Sequence, residues 1–407
     1  MTQSQYQWVV FQVGSREHYA IPRMFHKKQE LLVFVTDIWV RPDSWLAWLL
    51  RIFKIPFNTR YHYELKNARV IHFSYLFLLI DVLSKFGFLR RLINRDKIAS
   101  LVFASCVWFL PDRKLVVFSY NYVAYYLFKL LQRKNIPCIL GQIDAGPKAG
   151  EINRRLFQEC FSNKVKPEED LYLSYGKKWQ KECEWAQAIV VNSEWSKKML
   201  IAAGIGEKKM KVIPLAYSQP EASRSFERDF PKAFSEQRPL RVLFMGSLKL
   251  LKGIYPLIQA IHNLKNLPVE FYLVGSIRIP FYLIDNLPPN CHIVNRVAKE
   301  KTNDYYKFCD VMILPTYSDG FAITQLEAQA WKLPIIASEY CARIISHNKN
   351  GLVLNKVDAE AIQTAILEII NNPEKLKYFS ANAIDMNEFS LEKIYEQYKQ
   401  LLEYTNQ

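Results

Sequence analysis

Short apolar runs alternate along this chain with longer stretches whose apolar residues recur at helical spacing. Runs at Trp8 to Val13, Leu31 to Thr36, Leu115 to Ser119, Cys138 to Ile143 and Ala188 to Asn192 predict buried strands. A parallel strand covered on both faces needs apolar residues at nearly every position. Between them, Tyr122 to Lys134 has the period of a helix. The scheme repeats further on, with strands predicted at Arg241 to Met245, Glu270 to Val274, Val311 to Leu314 and Pro334 to Ala337, and helices starting near Tyr255, Phe321 and Asp358. Leu391, Ile394, Tyr395, Tyr398, Leu401 and Leu402 share one face of a final amphipathic helix, Leu391 to Tyr404.

This alternation predicts an α/β chain with parallel, doubly wound sheets rather than a sandwich or a bundle. At 407 residues it exceeds a single core, since cores stop growing near roughly 250 to 300 residues. Two domains are expected, 1–218 and 240–386, joined by a linker at 219–239 where Pro220, Pro231 and Pro239 stand among Ser, Glu and Arg. Residues 387–407 are expected to pack back toward the N-terminal domain.

Composition narrows the function classes. With 50% hydrophobic and 23% charged residues the chain folds, and a net charge of +15 favours anionic partners such as nucleotides, nucleic acid or acidic lipid. No recognition-helix, RNA-binding or zinc pattern accompanies the charge, so nucleic acid is not expected. Seven scattered cysteines without a C-x-x-C pair argue against a disulfide framework or structural zinc and fit a cytoplasmic setting. The first ten residues lack the basic start of a signal peptide. The apolar stretches Val70 to Leu83 and Ile98 to Leu110 fall short of the roughly 18 uncharged residues that span a bilayer. Two basic amphipathic stretches, Ser84 to Lys97 and the group Trp45, Trp48, Leu49 and Phe53 with Arg51 and Lys54, have a composition that suits either a peripheral position on anionic lipid or a solvated helix packed on the core.

Two segments carry the chemistry. In Asp310 to Ser338 a buried strand is followed by a loop with Asp319, Gly320 and Phe321, and then by a helix whose first N–H groups and dipole favour an anion. Glu327 lies eight residues after Asp319, about 12 Å along a fully helical interval, so two carboxylates flank that anion site. Asp319 read alone is a cap and Glu327 a surface residue. The apolar neighbours Leu326, Ala328 and Ala330 favour a carboxylate with a partner instead. In Val242 to Gly253 a strand, a glycine turn (Gly246, Ser247) and Lys252 precede another helix, which places a cation at the same cleft.

From Asn192 onward the chain resembles the retaining glycosyltransferases of family 4 (group 1), which have the GT-B fold of two Rossmann-like domains facing a central cleft. The resemblance rests on VVNSEWSKKMLIAAGI with KVIPLA, FMGSLKLLKG, FYLVGS, DGFAITQLEAQAWKLPIIAS and NGLVLN, in that order. The N-terminal half matches more weakly, through GSREHYAIPR and GQIDAGP. The resemblance implies transfer of a hexose from a nucleotide-diphosphate sugar to a glycan or lipid-linked acceptor, without a metal or other cofactor, in surface polysaccharide or glycolipid synthesis. It implies that the N-terminal domain binds the acceptor and the C-terminal domain the nucleotide sugar. Glu327 would bind the ribose hydroxyls and Asp319 the donor sugar. Lys252 would neutralise the diphosphate, aided by the N–H groups of Gly320, Phe321 and Ala322. Arg296 and Val297 would cradle the base, and Gly14 would let the N-terminal domain close on the donor phosphates.

The sequence departs from the family pattern in three places. Asp319 stands where a glutamate is usual, Ser247 where an arginine is frequent, and the histidine near the transferred sugar has no direct match, with Asp144 and His18 as candidates for its place. No Asp-x-Asp motif is present to hold a metal. The departures at Asp319 and Ser247 keep a second class open, a nucleotide-sugar-binding scaffold without turnover.

Overall fold

The structure, a computed structural model, describes residues 6–84, 93–161 and 171–405. Its first sheet contains β1 (Gln7–Gln12), β2 (Leu31–Thr36), β3 (Val70–His72), β4 (Leu115–Tyr120), β5 (Cys138–Gln142), β6 (Ala188–Val191) and β7 (Met210–Val212), in the order β3-β2-β1-β4-β5-β6-β7. The second contains β8 (Leu240–Met245), β9 (Val269–Val274), β10 (Cys291–Val294), β11 (Val311–Leu314), β12 (Ile335–Ser338) and β13 (Gly351–Leu354), in the order β10-β9-β8-β11-β12-β13. Pairing within both sheets is parallel. The winding reverses beside the first strand of each sheet, between β1 and β4 and between β8 and β11. A doubly wound sheet opens its ligand crevice outside the strand ends at such a switch point.

The predicted strands lie within one or two residues of their expected positions. The short edge strands β3, β7 and β13 were not expected, because three or four residues carry little periodicity. The helix predicted from Tyr122 runs over Tyr125–Arg133, since Tyr122 itself takes a φ of +73°. The one predicted near Phe321 is shorter, Thr324–Ala330, with Ala322 in the left-handed region ahead of it.

One helix of the first domain packs in the core of the second. The helix Pro147–Phe161 leaves the first sheet after β5, yet Ala149, Leu156 and Phe161 are buried in one cluster with Leu250, Leu251 and Ile254 of the second domain. Residues 219–239 are strapped to the second domain rather than forming a bare tether. The Arg228 guanidinium donates to the carbonyls of Trp331, Cys309 and Tyr306, and Arg238 pairs with Asp310 at 2.6 Å.

The final helix, Leu391–Thr405, crosses to the N-terminal sheet. Ile394, Tyr395, Tyr398 and Leu401 are buried there among Trp8, Phe25 and Phe118. The Tyr398 ring meets those of Trp8, Phe25 and Phe118 at centroid distances of 6.3, 6.0 and 6.0 Å, the edge-on spacing that aromatic quadrupoles favour. Tyr398→Ala should therefore lose about 3–5 kcal/mol in urea denaturation, the usual cost of truncating a buried aromatic. A loss below about 1 kcal/mol, the range of peripheral positions, would show that the helix is only loosely docked.

Candidate active site in the interdomain cleft

The loops at the two switch points face each other and contain most of the residues singled out from the sequence. After β8 the chain turns at Gly246 and Ser247, whose hydroxyl lies 3.0 Å from that of Ser276 in the loop after β9. It then forms a 3-10 turn, Leu250–Lys252, that is pressed against the loop following β11. The Leu251 carbonyl accepts from the Tyr317 N–H at 2.9 Å and the Thr316 hydroxyl at 3.0 Å. Gly253 closes the turn at a φ of +70°, where a Cβ would fall 1.8 Å from the Pro315 carbonyl oxygen. Only glycine lets the two loops meet so closely.

This approach brings Lys252 into ion-pair contact with Asp319. Burial and, to a lesser extent, the neighbouring Lys249 push the Lys252 ammonium down to about 7, well below the usual lysine range. Lys252 and Asp319, given separate roles in the sequence reading, are thus one unit. The interval from Asp319 to Glu327 is helical only from Thr324, so the 12 Å helical estimate does not apply.

Glu327 is half-buried, and its carboxylate accepts a 2.6 Å hydrogen bond from the Tyr306 hydroxyl. The partner that the apolar flanks implied is therefore an aromatic hydroxyl. Lys299 and Tyr217 also feel the Glu327 charge. The Lys299 ammonium lies 2.8 Å from His18 Nε2 of the N-terminal domain. Arg296 is exposed and Val297 half-buried in the short loop between β10 and the helix Lys299–Phe308, beside this cluster.

Gly320 forms the joint between the domains, while Phe321 and Ala322 pack in the core of the second. A Cβ on Gly320 would lie 2.2 Å from the Ile143 carbonyl oxygen and 2.9 Å from Asn192 Nδ2. The Gly320 carbonyl accepts from the Ser193 hydroxyl, and Trp195 Nε1 donates to the Ser318 hydroxyl at 3.1 Å. The Asn-Ser-Glu-Trp turn carries part of the family resemblance, and Ser193 caps the helix that follows. Its docking on the Asp319–Gly320 loop was not foreseen, because one side chain performs both tasks.

On the N-terminal side, Asp144 follows Ile143 and lines a cavity of about 190 Å³ with Arg16, Asp96, Asn121 and Tyr122. Its carboxylate takes hydrogen bonds from the Tyr122 hydroxyl (3.0 Å), Gln142 Nε2 (2.9 Å) and the Gly146 N–H (2.9 Å), and burial raises its pKa. His18 does not share this cavity. It belongs to the Lys299–Glu327 cluster, so the two candidates for the unmatched histidine occupy different places. The strand-to-helix turn around His18 is strained, with Glu17, His18 and Tyr19 at φ values of 50, 49 and 61°. Three successive non-glycine residues in that region are held only by surrounding structure, which is frequent at functional sites.

Gly14 donates its N–H to the fully buried Asp37 at 2.9 Å. Burial opposes the charge of Asp37, but Arg60, the Gly14 N–H and Arg95 outweigh it and hold its carboxyl below the usual range. This network eluded the sequence, since Arg60 and Arg95 lie 23 and 58 residues from Asp37 and follow no local pattern.

The larger cavities lie elsewhere. One of about 990 Å³ lies between β13 and the helix Ala359–Asn371, and none of the candidate site residues lines it.

Two parallel sheets with facing switch points, joined at a glycine loop that presents an acid–lysine pair, define the class as a GT-B fold. Solved structures agree over nearly the whole chain. Sucrose-phosphate synthase from Thermosynechococcus elongatus superposes with a TM-score of 0.65 at 17% identity, covering 98% of both chains. HepE of Anabaena, in complex with UDP and glucose, superposes with a TM-score of 0.62 at 15% identity, covering 98% of this chain and 100% of that one. Residues 225–386 match the model of the glycosyl transferases group 1. An uncharacterised glycosyltransferase of Methanocaldococcus jannaschii is 28% identical over 37% of this chain. The capsular polysaccharide biosynthesis glycosyltransferase CapM of Staphylococcus aureus is 25% identical over 52% of it. These alignments cover 44% and 60% of the two relatives.

Two predictions follow from the geometry. Gly320→Ala should push the Asp319 loop away from Ile143 and open the cleft, raising the radius of gyration in small-angle scattering; an unchanged radius would mean that the joint yields locally. Burial, Lys299 and Arg23 push His18 down to about 4 from an ordinary 6.5, so the native state binds fewer protons than the unfolded chain between these values. His18 therefore contributes stability above pH 6.5 that is lost as the pH falls toward 4. His18→Gln should flatten part of the acid limb of a stability–pH curve, and an unaltered limb would place the titration in other groups.

Proposed function

We propose that this protein is a retaining glycosyltransferase that moves a hexose from a nucleoside-diphosphate sugar to a glycan or lipid-linked acceptor, with no metal. The observation that carries the reading is the Lys252–Asp319 pair at the switch point of the family-matching domain, with Glu327 nearby and the acceptor-side cavity across the joint. The UDP bound by HepE and the capsular role named for CapM make a UDP-sugar and a surface polysaccharide the first donor and product to test.

In this mechanism the diphosphate displaces Asp319 from Lys252. The ammonium then stabilises the charge that grows on the leaving phosphate as the bond from the anomeric carbon to the phosphate oxygen breaks. Asp319, released, accepts from sugar hydroxyls. Glu327, oriented by Tyr306, accepts from the ribose. The acceptor oxygen bonds to the anomeric carbon on the face that the phosphate leaves, and its proton passes to the departing phosphate oxygen, so no strong protein base is needed. Asp144 positions the acceptor from the cavity. The closed joint at Gly320 excludes water, which strengthens each of these electrostatic contacts.

The mutual neutralisation of Lys252 and Asp319 favours one other reading, a GT-B protein that binds nucleotide sugar without turnover. A thermal-shift panel of UDP, GDP, ADP and their sugar conjugates, followed by a transfer assay, separates the two. A nucleotide at a hundred times its dissociation constant should add about 2.7 kcal/mol of stability. Glu327→Ala should abolish the shift, whereas Lys252→Ala should fold normally and lose about 10²–10³-fold in kcat, as removal of one charge-stabilising donor does. Binding with no transfer to any acceptor would favour the scaffold, and full activity in both variants would defeat the proposal.

A further inference from the structure

Among the described residues, most of the exposed large apolar side chains fall between residues 45 and 109 of the N-terminal domain. They are organised. On the helix Trp45–Ile52, Trp45, Trp48 and Ile52 follow one another at three- and four-residue spacing and point to solvent, with both tryptophans 61% exposed, and Phe53 continues the face at 66%. On the helix Ser74–Leu83, Tyr75, Leu79 and Val82 form a second exposed stripe. The stripes meet where the rings of Trp45 and Tyr75 stack, with centroids 5.7 Å apart and planes within 16°. The opposite faces of both helices, through Leu46, Ala47, Leu50, Phe77 and Ile80, are buried in the core, so folding leaves the outer faces unpartnered.

The charges around this surface have one sign in excess. Asp43 is paired with Arg41 and Asp81 with Arg95, while Arg51 and Lys54 have no carboxylate partner among the described residues. No helix among the described residues is long and apolar enough to cross a membrane. Tryptophan and tyrosine flanked by unpaired cations suit the headgroup layer of an anionic bilayer, which takes an amphipathic ring with its polar edge outward and attracts the basic side chains. A soluble partner would have to supply apolar and acidic surface together. Residues 85–92 of the second basic stretch, Ser84 to Lys97, lie outside the described residues.

We infer that the joined outer faces of Trp45–Ile52 and Ser74–Leu83 dock the protein on an anionic lipid surface. The docking face is mechanically linked to the acceptor-side cavity. Asp81, at the end of its second helix, holds Arg95, Arg95 also holds the buried Asp37 beneath Gly14, and the next residue, Asp96, lines the cavity with Asp144. A lipid-linked acceptor would then be presented to the cavity from the bilayer. The docking face stands without the transfer reading, whereas this last step rests on it.

The test is co-sedimentation of the full chain with vesicles of phosphatidylcholine alone and of phosphatidylcholine mixed with phosphatidylglycerol. The chain should bind only the anionic vesicles, and salt should weaken the binding. The double variant Arg51→Gln/Lys54→Gln should bind about thirtyfold less, the factor that two cations at a bilayer surface carry. The triple variant Trp45→Ser/Trp48→Ser/Phe53→Ser should lose vesicle binding at an unchanged melting temperature, since these side chains are exposed. Absence of binding by the parent chain, or undiminished binding by the triple variant, would overturn the inference. So would a lipid-free dimer that the triple variant dissociates, because the face would then belong to a second copy. Nucleotide thermal shifts on the same variants keep the readings apart, since loss of vesicle binding with the shift intact concerns the surface alone.

Discussion

The Gly320 backbone lies against the Ile143 carbonyl and the Asn192 amide with no room for a side chain, and the geometry of the cleft follows from that approach. It holds the loop that carries Asp319 against the segment that follows β5. Gly253 imposes a second close approach against Pro315, and the two together leave Lys252 and Asp319 within contact. The acid–lysine pair is thus a product of backbone packing between three loops.

The domains are less separable than their two sheets suggest. The helix Pro147–Phe161 fills part of the second core, Arg228 ties the connecting strap to the second domain, and Leu391–Thr405 returns to the first sheet. Each crossing segment buries apolar surface or satisfies backbone carbonyls, so a large rotation of one domain must keep these contacts or break them. Motion is easier at the cleft itself, where the contacts across the joint are mostly single hydrogen bonds such as Ser193 to Gly320, Trp195 to Ser318 and Lys299 to His18. Substrate binding can exchange such contacts at modest cost, which suits a site that has to open and close.

Polar burial on the N-terminal side follows a related logic. Asp37 keeps its charge in the interior only because Arg60, Arg95 and the Gly14 N–H meet it there. The same arginine reaches Asp81 on the helix whose outer face is apolar and exposed. One buried carboxylate is therefore tied to the glycine turn directly and, through Arg95, to the helix that carries the exposed face.

The sequence by itself determined the sheets and most of the candidate site. Buried parallel strands need unbroken apolar runs, so β1, β2, β8 and β11 were legible, and ordered motifs at strand ends marked Lys252, Asp319, Gly320 and Glu327. Short edge strands carry no period long enough to read, and β3, β7 and β13 were missed. Only the tertiary structure decided that Lys252 and Asp319 pair, that Glu327 rests on Tyr306, that His18 and Asp144 serve different places, and that Ser193 reaches Gly320 across 127 residues of chain. These are contacts between distant segments, set by how loops pack at the two switch points. No local spacing encodes them, because periodicity reports which face of an element is buried and not what lies against it.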